Sequence, residues 1–95
     1  MNRLLLTTAL ATMIALPAQA ACYADYKAKR DKPLRLHYGV IALDDAACQD
    51  KDAAGSAIAK KISTDGWKLL NVLSLFGEDG LSERESSAGE FYLRY

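Results

Sequence analysis

The clearest hydrophobic pattern in the chain is a period-two alternation after Pro33. One set of positions is Leu34, Leu36, Tyr38, Val40 and Ala42, and the other is Arg35, His37, Gly39, Ile41 and Leu43. Alternation with this period places successive side chains on opposite faces of a β-strand. A proline at the start of a strand costs no ladder hydrogen bond. The pattern therefore predicts a strand over residues 34–43.

A helical period follows. Its apolar stripe, in which each residue comes four positions after the last, comprises Ala54, Ile58 and Ile62. Asp50 or Asp52 can cap the start of such a helix, and Gly66 can adopt the left-handed conformation that ends it. The spacing predicts one amphipathic helix between Asp50 and Gly66.

The C-terminal third of the chain predicts two more strands. Residues 67–76, WKLLNVLSLF, are almost continuously apolar, and the turn sequence GEDG follows them. Residues 81–89 are typical of a polar loop, and EFYLRY at 90–95 predicts a closing strand. Trp67 is interpreted as a core anchor against Ile58 or Ile62.

The segment before Pro33 is the least regular. Residues 21–31, ACYADYKAKRD, are rich in Ala and Lys and favour one to three turns of helix. The predicted order is therefore a short N-terminal helix followed by β-α-β-β. We expect a two-layer α+β domain with a mainly antiparallel three-stranded sheet, in which the last strand fills the centre (order 1-3-2) and one helix covers one face.

The first twenty residues have the pattern of an export signal. Arg3 precedes an apolar stretch at 4–16 that is interrupted only by threonines. Ala18 and Ala20 are the small residues that signal peptidase needs before its cut. The apolar stretch is 13 residues long, and a membrane-spanning helix needs about 20, so no membrane anchor is expected. The sequence predicts a signal peptide over 1–20, a single domain over 21–95, and a location in the periplasm or outside the cell.

Cys22 could carry a lipid, form a disulfide, bind a metal or perform redox chemistry. Lipidation is disfavoured because Gln19 occupies the position where an aliphatic residue is normal. With only two cysteines in a short exported chain, the favoured interpretation is a disulfide between Cys22 and Cys48. Closing that loop contributes roughly 3.5 kcal/mol. A redox pair would need C-x-x-C spacing, and no close ligand spacing supports a zinc site with His37.

The charge balance offers no case for nucleic-acid binding. The formal net charge is zero, and removal of Arg3 with the signal peptide makes it −1. Basic residues concentrate between positions 27 and 35, whereas acidic residues dominate 44–52 and 78–90. We interpret this distribution as a solvated, mixed surface.

Residues 62–74, ISTDGWKLLNVLS, resemble a family of small bacterial domains of unknown function. Members of that family share a helix followed by a strand opening of the Gly-Trp-Glu-Leu type, here Gly66, Trp67, Lys68 and Leu69. Lys68 stands where the family has an acid, and the cysteine pair is an addition. The resemblance implies the β-α-β-β plan over most of residues 21–95, and it implies no catalytic residues.

No residue set in the sequence points to catalysis. His37 is the sole histidine, and without a serine or aspartate pattern beside it sheet packing is the favoured role. Ser86 and Ser87 lack a nucleophile-elbow sequence, and no glycine run resembles a phosphate loop. We therefore expect a non-enzymatic protein without cofactor or metal.

One feature points to association. The second predicted strand is apolar on both faces, and a single helix covers only one face of a sheet. The predicted uncovered face comprises Leu70, Val72, Tyr92, Ile41 and His37. Such a face indicates either a cover, for which residues 23–26 are a candidate, or a homodimer or protein partner. The main hypothesis is an interaction protein, and the alternative is a periplasmic small-molecule or metal-binding protein.

Overall fold

A computed structural model of the protein describes residues 20–95. The predicted signal peptide lies outside the described residues except for Ala20. The regular elements are β1 (Cys22–Arg30), β2 (Arg35–Leu43), α1 (Lys51–Ile62), β3 (Lys68–Phe76) and α2 (Ser82–Ala88), with short 3-10 turns between them. The strands form one antiparallel sheet in the order β2-β1-β3. The predicted α+β class with a three-stranded antiparallel sheet is confirmed.

β1 lies at the centre of the sheet, where the composition predicted helical turns instead. Ala24, Tyr26 and Ala28 are fully buried in the core, whereas Lys27 between them is exposed. This alternation is itself a strand pattern that the Ala and Lys content masked. The prediction of an N-terminal helix was wrong because intrinsic helix propensity is a weak preference, and pairing on both sides of β1 overrides it.

β2 and α1 agree with their predictions. α1 begins after Asp50, whose side chain accepts a hydrogen bond from the Ala53 backbone N–H at 2.8 Å. Its buried residues are Ala54, Ile58 and Ile62, the predicted stripe. Gly66, at φ 82°, takes the left-handed position after the 3-10 turn that follows the helix.

The C-terminal segment differs from its prediction. Residues 82–88, predicted as a polar loop, form α2, and residues 90–95 do not form the central strand. Tyr92 makes only an isolated parallel bridge to Val40, and the Leu93 N–H donates to the Val40 carbonyl at 2.8 Å. The predicted order 1-3-2 was wrong because β1 already occupies the centre, which leaves the C-terminal segment at the outer edge of β2.

The disulfide joins Cys22, at the start of β1, to Cys48, at the end of a 3-10 turn. Their Cα atoms lie 6.0 Å apart. The predicted pairing is confirmed, and it fixes the start of the central strand to the connection that leads into α1.

Candidate interaction surfaces and side-chain clusters

The five residues predicted to form one exposed face do not lie together. Ile41 is fully buried and His37 is 8% exposed, and both belong to the side of the sheet that α1 covers. Val72 packs against the core, with its Cγ2 atom 3.8 Å from the point where a Cβ on Gly55 of α1 would lie. Tyr92 is half-buried at the edge of β2, and Leu70 is 49% exposed. The prediction that these five residues share one exposed face was therefore wrong for Ile41, His37 and Val72.

Two irregularities in β3 explain where its side chains lie. The pairing of β3 with β1 shifts register between Asp25 and Tyr26 and again between Lys27 and Ala28. Each shift adds one residue to β3 and breaks strict alternation. The apolar residues of β3 that face the core are consequently spaced by three and comprise Leu69, Val72 and Leu75. A period-two alternation that starts at Trp67 does not predict which of these residues face the core.

Four aromatic side chains form a cluster on the α1 side of the sheet, with His37 at its centre. The His37 ring stacks on Phe91 with centroids 3.6 Å apart and meets the edge of Trp67 at 4.2 Å. The centroid of the Tyr26 ring is 5.3 Å from that of His37, and the Tyr26 hydroxyl lies 3.0 Å from His37 Nε2. Arg30 covers the Trp67 ring at 4.3 Å. Trp67 is 6% exposed, as expected for a core anchor.

The electrostatics of this cluster favour a structural role for His37. Burial, together with the positive charge of Arg30, lowers the pKa of His37 to about 4, so the ring is neutral at pH 7. Within residues 20–95 its Nδ1 atom is buried without a hydrogen-bond partner. Burial also raises the pKa of Tyr26. The ring is thus a neutral imidazole that packs against three aromatic rings and is 8% exposed.

A second cluster lies on the opposite face of the sheet, around the buried carboxylate of Asp25. Tyr38 donates to it at 2.8 Å, Ser74 at 2.6 Å and Arg84 of α2 at 3.1 Å. Burial opposes ionisation of Asp25, but these three donors outweigh that effect and lower its pKa. Arg84 also lies over the Phe76 ring at 3.9 Å. α2 thus covers part of the face that the sequence predicted to be open.

No local pattern in the sequence indicates the Asp25 cluster. Its three donors are separated from Asp25 by 13, 49 and 59 positions along the chain. Only the sheet register and the packing of α2 bring them together. With all three donors engaged, the carboxylate is a buried anchor for α2 rather than an accessible acid or base.

The outer edge of β3, on the side away from β1, has no paired strand within residues 20–95. At the other edge of the sheet, Tyr92 and Leu93 contact Val40 of β2. None of the nine residues of β3 is fully buried, although most are apolar.

Two further findings concern metals and membranes. Among the residues that the structure describes, no group of three or more His, Cys, Asp or Glu side chains could hold a metal ion. Neither helix in residues 20–95 is long and apolar enough to span a bilayer.

Comparisons with known proteins do not add a relative. No family model matches the chain, and no curated protein or solved structure matches it. The family resemblance at residues 66–69 stays a prediction.

Proposed function

We propose that the protein is exported and that it acts by binding another protein rather than by catalysis. The partner that we propose is a second copy of the chain, bound along β3. The Cys22–Cys48 disulfide supports export, because disulfides form and persist in oxidising compartments. The non-catalytic part is supported by the two ionisable clusters. Asp25 is engaged by three donors, and His37 is enclosed by aromatic rings.

The observation that carries the proposal is the unpaired outer edge of β3. Of its large apolar side chains, Leu69, Val72 and Leu75 pack against the core, and Leu70 is 49% exposed. Leu73 and Phe76 are half-buried. An edge strand presents unpaired N–H and C=O groups, and natural proteins usually protect such strands with charges, short length, bulges or a cover. β3 has nine residues, and its one charged residue is Lys68 at the start. Its two bulges, at Leu70 and Leu73, protect part of the edge. The remaining backbone groups could add a strand from another chain.

The charges around β3 favour a second copy as the occupant. Lys68 begins the strand, and Glu78 follows its end. If two copies pair antiparallel with Leu73 at the centre, Lys68 of each copy lies opposite Glu78 of the other. Glu78 lies in the 3-10 turn after the strand, so the two opposite charges would attract each other at the ends of the pairing. A two-fold contact of this kind closes on itself. The two bulges limit the run of regular pairing, so we expect a reversible dimer.

Sedimentation velocity over a range of protein concentrations tests the association. The wild-type protein should shift from monomer to dimer as its concentration rises. Leu70→Lys should keep it monomeric with little change in melting temperature, because Leu70 is 49% exposed and lies opposite Phe76 of the copy in this arrangement. Leu36→Lys is the matched control, since Leu36 is 66% exposed and lies on β2. A wild-type monomer at every concentration, or an equal effect of both substitutions, would contradict the dimer.

The mass of the exported protein tests the rest of the proposal. Protein recovered from the exported fraction should have the mass of residues 21–95 with the two cysteine hydrogens missing. A lipid on Cys22 or two free thiols would contradict it. Metal retained after dialysis would instead favour the metal-binding alternative.

A further inference from the structure

The turn between β1 and β2, together with the adjoining strand ends, concentrates positive charge at one end of the sheet. Strand pairing places Arg30 opposite Arg35, and Lys29 lies next to Lys68 of β3. We call this region the hairpin end; its cations are Lys27, Lys29, Arg30, Lys32, Arg35 and Lys68. Two carboxylates lie among them. Asp31 is 3.7 Å from Lys29 Nζ, and Asp65 accepts a hydrogen bond from the Tyr95 hydroxyl at 2.7 Å.

The hairpin end also carries the two most exposed large apolar side chains among the described residues. Leu34, in the turn, is 64% exposed, and Leu36, which pairs with Lys29, is 66% exposed. The long aliphatic stems of the surrounding lysines can lie along such apolar groups while their ammonium groups reach outward. Leu36 shares its face of the sheet with Lys27 and Lys29, and Arg30 and Arg35 lie on the other face of the same hairpin.

Negative charge lies at the other end of the molecule. β2 ends beside Cys22, and four aspartates follow it before or within the first turn of α1: Asp44, Asp45, Asp50 and Asp52. β3 ends beside Tyr23, and Glu78 and Asp79 follow it. The chain has a formal net charge of zero, so its charges form a dipole along the sheet. In the field of an anionic surface this dipole turns the hairpin end toward that surface.

We propose that the hairpin end binds the surface of a bilayer that contains anionic phospholipids. The cations lie at the headgroup phosphates, and Leu34 and Leu36 enter the interface. A lipid interface is favoured over an acidic protein because the leucines lie at the tip of a hairpin, Leu34 in the turn and Leu36 at the start of β2. A fluid interface receives such a tip without a complementary shape, whereas a protein partner needs a matching surface.

This binding uses a different surface from association through β3, although Lys68 belongs to both. Antiparallel pairing of two copies would point their hairpin ends in opposite directions, so only one hairpin end of a dimer could face a given bilayer and dimerisation would reduce vesicle binding. The membrane experiment therefore uses the wild-type protein at concentrations at which sedimentation shows the monomer. If the dimer proposal fails, the same measurement holds at any concentration.

The test is co-sedimentation of the exported protein with vesicles of phosphatidylcholine alone or mixed with phosphatidylglycerol. Binding should require phosphatidylglycerol and weaken as salt is added. Lys27→Gln should weaken partitioning about fivefold. Lys51→Gln, at the opposite end of the domain, removes the same charge and should leave it unchanged. Leu36→Ser should weaken binding at low and high salt alike, whereas Leu93→Ser, which changes a leucine that is 42% exposed elsewhere, should not.

Three results would overturn the proposal. The first is the absence of binding to phosphatidylglycerol vesicles at low salt. The second is an equal loss for Lys27→Gln and Lys51→Gln, which would show attraction without a defined site. The third is retention on immobilised polyglutamate without vesicle binding, which would identify an acidic polypeptide as the partner instead.

Discussion

Gly39 of β2 is the position at which a single added methyl group has the sharpest predicted effect. The Tyr26 ring lies directly over it, and a Cβ on residue 39 would lie 2.5 Å from the Tyr26 hydroxyl oxygen and 2.6 Å from Cζ. Tyr26 is fully buried, and its hydroxyl is within hydrogen-bond distance of His37. The ring cannot move away from an added methyl group without disturbing the aromatic cluster.

The size of the effect follows from two contributions. Overpacking a well-filled core costs about 1–3 kcal/mol. Displacing the Tyr26 hydroxyl from His37 adds about 1 kcal/mol for the lost hydrogen bond. Alanine has a higher strand propensity than glycine, and this difference offsets only a few tenths of a kcal/mol. We therefore expect Gly39→Ala to lower the free energy of unfolding by about 3 kcal/mol, which is roughly 15 °C in melting temperature for a domain of this size.

Urea unfolding and thermal melts of the disulfide-intact protein measure this change. Gly77→Ala is the matched control, because no atom lies within 4 Å of its added Cβ and its φ is −92°. That variant should be within about 0.5 kcal/mol of the wild type. If Gly39→Ala were as stable as Gly77→Ala, the packing of Tyr26 over Gly39 would be refuted as a constraint on the core.

Two further predictions concern pH. Burial and the charge of Arg30 lower the pKa of His37 from 6.5 to about 4, so on lowering the pH the unfolded chain takes up this proton first. The full contribution of His37 to the free energy of unfolding is present above pH 6.5, and it falls by roughly 3 kcal/mol as the pH approaches 4. Urea unfolding at several pH values should show this decrease in the wild type and not in His37→Phe. A wild-type free energy of unfolding that does not change over this range would contradict the enclosed neutral ring. The pKa of Asp25 lies below its ordinary value of 3.8 because its three hydrogen-bond donors outweigh the effect of burial, so its contribution is present above pH 3.8 and is lost as the pH falls through the lower folded-state value. Asp25→Asn should cost about 2 kcal/mol at neutral pH and exposed Asp79→Asn almost nothing, and equal stability of these two variants would show that the cluster does not hold α2.

The two ionisable clusters have a common consequence for how the molecule can act. Each lies on one face of the sheet, and each contacts a C-terminal element. The His37 ring stacks on Phe91, and the Asp25 carboxylate accepts a hydrogen bond from Arg84 of α2. Both clusters therefore help to hold the C-terminal part of the chain against the sheet. The binding surfaces that we propose are the β3 edge and the hairpin end.

The sequence by itself determined the elements whose pattern is local. The alternation after Pro33 predicted β2, and the four-residue spacing with an aspartate cap predicted α1. These predictions succeed because side-chain direction follows the backbone period within one segment. The sequence also identified the disulfide partners, because two cysteines allow only one pairing.

Tertiary structure alone decided which segment takes the centre of the sheet and which side chains meet. Five of the nine residues of β1 are Ala, Lys or Arg, which are good helix formers. The strands on both sides nevertheless hold it extended, because hydrogen bonds to neighbouring strands outweigh a propensity of a few tenths of a kcal/mol per residue. The bulges of β3 arise from fitting its apolar residues to the core, and no glycine marks them in the sequence. Asp25 meets Ser74 and Arg84 across 49 and 59 positions. Contacts over such distances depend on register and packing, which no local pattern encodes.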